Sequence, residues 1–211
     1  MNLSKLLLAA LAMLGISSAQ AIVNGGFETG TLTGWTATLS GGAANVVSSS
    51  STIYPVTTYN PYQGNYFLAI TAGDAEVWQT VTQSVSLTAG QSLNGAAAFD
   101  WGDYSPWNDG ARVRILNSAG AELATVFYQD GVGQADGFNG PWTTWNWLAA
   151  ASGSYIVEYA ARNTLDPGGD DNTYGYFDAA TISNASVPEP LSIALVGAAL
   201  VGLGLSRKNR A

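Results

Sequence analysis

The chain has 211 residues, with seven basic against fifteen acidic side chains, no histidine, no cysteine and a net charge of −8. Without cysteine or histidine it can build no disulfide framework, no Ser-His-Asp or Cys-His arrangement and no histidine-ligated metal site. Its acidic balance repels nucleic acid and anionic lipid and attracts divalent cations.

Met1–Ala21 carries a lone Lys5, an apolar run Leu6–Ile16 and the small-x-small triplet Ala19-Gln20-Ala21. This is the layout of a secretory signal peptide, and the mature chain is expected to begin at Ile22. Residues 22–186 then form one segment of ordinary domain size, long enough to bury roughly 70% of its unfolded surface. It holds three arginines, no lysine and fourteen carboxylates, a net of −11. Threonine, valine and tyrosine are frequent, glycine-rich turns recur, and no long stretch keeps a helical period.

Strands are expected near 34–39, 44–48, 65–71, 92–101, 111–117, 121–128, 143–149, 153–162 and 174–184. Between the third and fourth, Glu76–Leu87 sets Val77, Val81, Val85 and Leu87 against Thr80, Thr82, Ser84 and Ser86, the alternation of a half-buried strand. Ala89-Gly90-Gln91 turns it into the next. Turn signals every 8–15 residues favour an antiparallel sandwich over βαβ units. The fold class is therefore all-β, flanked by an N-terminal signal helix and a short C-terminal transmembrane helix.

In the last strand Tyr176, Asp178, Ala180 and Ile182 share a face by the period of two. A core-facing Ile182 then buries Asp178, and a buried carboxylate needs a cation or several N–H donors. Neighbouring strands running antiparallel would place the loops 72–75, 102–110, 129–142 and 163–173 at one end of the sandwich. That end gathers Asp103, Asn108, Asp109, Asp170, Asp171 and Asn172, oxygen donors suited to a second hard cation and equally to simple turns. Tyr104, Trp107 and Trp142 fall in the same loops, where aromatic rings among amides suit the apolar face of a sugar. Trp145 and Trp147 share one strand face and read as packing.

Asn24-Gly-Gly-Phe-Glu28 followed by Gly34-Trp35, the strand and turn Val81–Gly90, and Tyr174–Ile182 together resemble galactose-binding-like jelly rolls and carbohydrate-binding modules. The usual Asp-Asn-Val of the final strand is here Asp178-Ala179-Ala180. The resemblance implies a jelly-roll sandwich and one structural Ca²⁺, held by the carbonyl of Gly26, the side chain of Glu28, the carbonyl of Asn65 and Asp178.

The tail, 187–211, opens with Val187-Pro188-Glu189-Pro190 and continues into the apolar run Leu191–Leu205, whose only polar residue is Ser192. Fifteen residues fall short of the roughly 20 that span a bilayer. Arg207, Lys208 and Arg210 follow as a basic stop, favouring the cytoplasmic side. This order closely resembles the PEP-CTERM sorting signal of exopolysaccharide-producing Gram-negative bacteria. It implies an exosortase-type protease as partner, anchorage in the inner membrane before processing, and release or attachment at the cell surface or matrix afterwards. The combined expectation is an exported, non-catalytic protein that binds carbohydrate. The alternatives are a purely structural or adhesive surface protein, and a glycosidase, which needs a carboxyl pair about 5–5.5 or 6.5–9.5 Å apart.

Overall fold

The computed structural model describes residues 22–52, 56–164 and 173–184. The expected signal segment, the Val187–Pro190 motif, the tail helix and the loop positions Asp170, Asp171 and Asn172 lie outside the described residues.

The described residues form an all-β sandwich whose strand pairs are antiparallel. The first sheet has the order β1 (Thr36–Thr38), β6 (Gln79–Leu87), β11 (Gly153–Arg162), β8 (Gly110–Asn117) and β9 (Glu122–Asp130). The second has the order β10 (Thr143–Leu148), β7 (Gln91–Trp101), β12 (Thr173–Asn184), β5 (Phe67–Thr71) and β2 (Ala43–Val47). A two-stranded ribbon, β3 (Ser50–Ser51) with β4 (Thr58–Tyr59), stands apart from both. From β5 onward the chain passes between the sheets at almost every turn, the crossing pattern of a jelly roll. Consecutive strands can therefore bury one face each against the opposite sheet.

The alternation read in β6 holds from Gln79, with Val81, Val85 and Leu87 buried and Ser84 and Ser86 exposed. It fails before that point: Glu76 has φ 64° and Val77 is exposed. Two glutamines take inward positions instead, and each is buried only because its amide is fully used. Gln79 accepts from Ser40 N and donates to Ser40 O at 2.8 Å. Gln83 accepts from Val23 N at 2.9 Å and donates to Val23 O and Gly34 O. The start of the domain thus hangs from β6. The link to β12 comes at Gly25, whose carbonyl accepts from Ala180 N at 2.9 Å.

Aromatic rings bridge the two sheets. Tyr159 of β11 stacks on Trp35 at 5.0 Å and on Phe177 of β12 at 4.6 Å. Trp145 meets the edge of Tyr159 at 6.3 Å, and Trp147 packs against Tyr155 at 5.0 Å, so both tryptophans of β10 do pack.

Register aligns the strand ends. Thr71 lies opposite Tyr174, Trp101 opposite Thr173, and Gly110 opposite both Arg162 and Asp130. The loops after β5, β7, β9 and β11 therefore leave from one end of the sandwich.

Candidate functional site

The outer face of the second sheet carries the features with chemical content. Alternation along β7, β12 and β5 sends Ala97, Phe99, Phe177, Leu68 and Ile70 inward and leaves Ala98, Tyr176, Phe67 and Ala69 outward. The outward set is still buried, because β4 lies over it. The Tyr59 ring sits 4.3 Å from Tyr176, and its hydroxyl donates to Gly140 O at 2.8 Å. Ser50 Oγ and Tyr176 Oη lie 2.9 Å apart.

Asp178 belongs to this outer face and does not share the inward face of Ala180 and Ile182 that an unbroken alternation would give it. A bulge between Asp178 and Thr181, with Ala179 at φ 55°, shifts the register of β12. Tyr176 and Asp178 therefore point outward, whereas Ala180 and Ile182 join the core. A bulge re-aims side chains in this way. Asp178 is nonetheless fully buried, closed over by the 60s loop: Gln63 N donates to Oδ2 at 2.9 Å and Ala179 N to Oδ1 at 2.6 Å. Burial pushes its carboxyl up to about 6, those N–H groups pull it back in part, and the nearby charge of Glu28 adds to the rise.

Glu28 faces the same spot from the Asn24–Gly30 turn. Its carboxylate accepts from Asn65 N at 3.0 Å, Tyr66 N at 3.1 Å and Asn65 Nδ2 at 3.2 Å. The main-chain donors Asn65 and Tyr66 hold it below the usual glutamate range. A Cβ on Gly26 would lie 3.7 Å from both Asp178 Oδ1 and Glu28 Cγ. Gly26, Glu28, Gln63, Gly64 and residues 179–181 line a cavity of about 250 Å³. Gly26 thus lies against both Glu28 and Asp178, and of the two carboxylates Glu28 is the one that lines the cavity. Asn65 meets Glu28 as a donor, where the resemblance assigns its carbonyl. Among the described residues no group of three or more acidic, His or Cys side chains is arranged to hold a metal ion.

Two larger cavities continue along the face. One, of about 380 Å³, is lined by Tyr62, Gln63, Asn94, Gly95, Thr144, Trp145, Asn146, Ala179 and Thr181. The other, of about 460 Å³, is lined by residues 57–61 and Asn139, Gly140, Pro141 and Trp142. Trp142 belongs to the wall of one and Tyr62 to that of the other, and their rings pair at 6.1 Å. Trp142 is fixed by its Nε1, which donates to Asn60 O at 3.0 Å, and by Phe67 at 5.7 Å. An amide row crosses the strands: Asn146 Nδ2 donates to Asn94 Oδ1 at 2.6 Å, and Asn94 Nδ2 to Ser183 Oγ at 2.9 Å. Beneath Tyr59 lies Asp100, fully buried, with Oδ2 at 3.5 Å from Tyr176 Oη and Oδ1 without a hydrogen-bond partner. Burial pushes this carboxyl up to about 7.

The expected aromatic platform is divided. Trp142 stands on the sheet face, whereas Tyr104 and Trp107 sit in the 102–109 loop at the end of the sandwich, Tyr104 exposed and Trp107 half-buried. The carboxylates of that end are largely engaged in loop hydrogen bonds. Asp109 is buried and accepts from Thr164 N at 2.9 Å and from Thr173 Oγ1, tying the end of β11 to the start of β12. Asp103 accepts from Tyr104 N, and Asp136 from Ser105 N at 3.0 Å. Of the second proposed cation set, Asp103, Asn108 and Asp109 fall within the described residues. Tyr62, Asn94, Asn146 and Asp100 escaped sequence reasoning. Only the alternation of β7 and β10 pointed to the two asparagines, and nothing local marked Tyr62 or Asp100.

No family model and no curated protein matches the chain. Solved structures do resemble the fold. The module TmCBM61 in complex with β-1,4-galactotriose aligns over 79% of this chain and 99% of its own, at 18% identity and a TM-score of 0.50. The CBM22-1 xylan-binding domain of Paenibacillus barcinonensis Xyn10C aligns over 81% of this chain and 97% of its own, at 19% identity and a TM-score of 0.46. The arabinose-bound α-L-arabinofuranosidase MgGH51 aligns over 78% of this chain and 26% of its own, at 15% identity and a TM-score of 0.47.

Proposed function

We propose that residues 22–186 are a non-catalytic carbohydrate-binding domain whose glycan lies along the outer face of the second sheet. The observation that carries this is the pairing of Trp142 with Tyr62 between two cavities of about 460 and 380 Å³, with amide groups on both sides. Aromatic rings cover the apolar faces of sugars, and amides exchange hydrogen bonds with the hydroxyl rim. The β-1,4-galactotriose bound by a module of the same fold agrees with this class of ligand. The two buried carboxylates of the face are poorly placed for glycosidase chemistry: Asp178 is held by Gln63 and Ala179, and Asp100 is shut beneath Tyr59.

Ca²⁺ at Glu28 and Asp178 belongs to the same reading, as a structural ion that would neutralise the pair and fix the 60s loop bordering the groove. The PEP-CTERM tail, with an exosortase as partner, would bring the domain to the cell surface or exopolysaccharide matrix of a Gram-negative bacterium. On a glycan array, the wild-type domain is expected to retain at least one oligosaccharide class, and Trp142→Ala to lose about tenfold or more in affinity for it while keeping its melting temperature within a few degrees. An array on which the folded wild type retains nothing would sink this function and favour a structural or adhesive role.

A further inference from the structure

We infer that the groove selects glycans carrying free amines over their N-acetylated, neutral and acidic counterparts; this rests on the carbohydrate-binding reading. Two independent observations lead there. The first is the segregation of charge. Arg112 and Arg114 of β8 and Arg162 of β11 all project from the outer face of the first sheet, on the far side of the sandwich. There Glu158 pairs with Arg112 at 3.2 Å and Arg114 at 2.7 Å, while the Trp78 ring lies 3.8 Å from the Arg112 guanidinium and 4.8 Å from that of Arg162. No other basic residue occurs in 22–186. Among the described residues the groove face therefore has carboxylates and no cation. A uronate would meet repulsion and find no guanidinium to pair with.

The second observation is a pair of acceptors without donors. Asp100 and Asn139 are direct cross-strand partners, flanked by Trp101 N to Phe138 O and Gly140 N to Phe99 O, each 2.8 Å. In such a non-hydrogen-bonded pair the two side chains stand close together on one face. Asp100 Oδ1 and Asn139 Oδ1 are both buried without a hydrogen-bond partner, a costly arrangement that a donor would relieve. Asn139 lines the cavity beside Trp142, so its buried oxygen lies directly behind the groove wall. Asp100, behind Tyr59, contributes its field through a medium of low dielectric. An ammonium supplies three donors and the matching charge; N-acetylation removes the charge and two of the donors.

The test is isothermal titration of the wild-type domain near pH 7 with β-1,4-linked oligomers of equal length, made of glucosamine, N-acetylglucosamine, glucose or glucuronate. The glucosamine oligomer is expected to bind at least about tenfold more tightly than its N-acetylated twin, with the advantage shrinking as salt rises to about 0.5 M. Asp100→Asn should bring the ratio of those two affinities towards one. Equal affinities, or a preference for glucuronate, would overturn the inference and leave the carbohydrate-binding reading standing. Binding to none of the four would overturn the inference, while the carbohydrate-binding reading would fall only if the glycan array also retained nothing.

Discussion

At the scale of single residues, burial moves the two enclosed carboxylates of the groove face, Asp100 and Asp178, above their ordinary range. Asp100 has no donor on one oxygen, and burial raises its carboxyl from the ordinary 3.8 to about 7. A folded-state value above the unfolded one means that the native protein holds the proton more tightly. That contribution is fully present below about pH 4 and is lost as pH rises through 7. Metal-free Asp178, raised to about 6, acts in the same direction. Glu28, lowered by the Asn65 and Tyr66 N–H groups, acts oppositely and stabilises above its ordinary 4.5. In EDTA the wild-type domain should therefore lose melting temperature between pH 5 and pH 8, with a flatter profile and a higher value at pH 8 for Asp100→Asn. Parallel profiles for the two proteins would mean that Asp100 is not desolvated as described. Sequence alone could not show this, because the burial of Asp100 comes from Tyr59, some forty residues away and on no shared element.

At the scale of elements, most strands were legible because alternation and turn residues are local signals. The bulge in β12 was not. Nothing in Asp178-Ala179-Ala180 announces a positive φ, since alanine rarely adopts one; the conformation is imposed by the Asn24–Gly30 turn packed against it. Gly25 is the close contact of that junction: its carbonyl accepts from Ala180 N, and a Cβ there would lie 2.0 Å from Ala180 O. Gly25→Ala should therefore cost about 3 kcal/mol or more in urea unfolding, as a backbone-on-backbone overlap that no rotamer relieves. Gly120→Ala is the control, with φ +84° and nothing within 4 Å of the added carbon. It should cost only the left-handed penalty, about 1–2 kcal/mol. Equal losses for the two variants would show that the turn yields and does not clamp the bulge. The groove was illegible for a related reason: Trp142 was found, but its partner Tyr62 is joined to it only by the fold.

At the scale of the whole molecule, a net charge of −11 over 22–186 is unevenly spread, with all three arginines on one outer face and Glu28 facing Asp178 near the opposite one. Such self-repulsion weakens a compact state, and a cation bound only by the folded form offsets it by RT ln(1 + [L]/Kd), about 2.7 kcal/mol at a hundredfold excess. For a domain of this size that is a shift of several degrees. The melting temperature should accordingly rise by several degrees between EDTA and millimolar Ca²⁺. Asp178→Ala should abolish the response, whereas Asp136→Ala, whose carboxylate only caps Ser105 N, should retain it. Mg²⁺ at the same concentration should be the weaker stabiliser, because it gives up its water shell reluctantly. Identical wild-type curves in EDTA and Ca²⁺ would remove the ion from the account. Asp178 would then be held by the N–H groups of Tyr62, Gln63 and Ala179, and the closeness of Glu28 would remain an uncompensated strain on the loop that borders the groove.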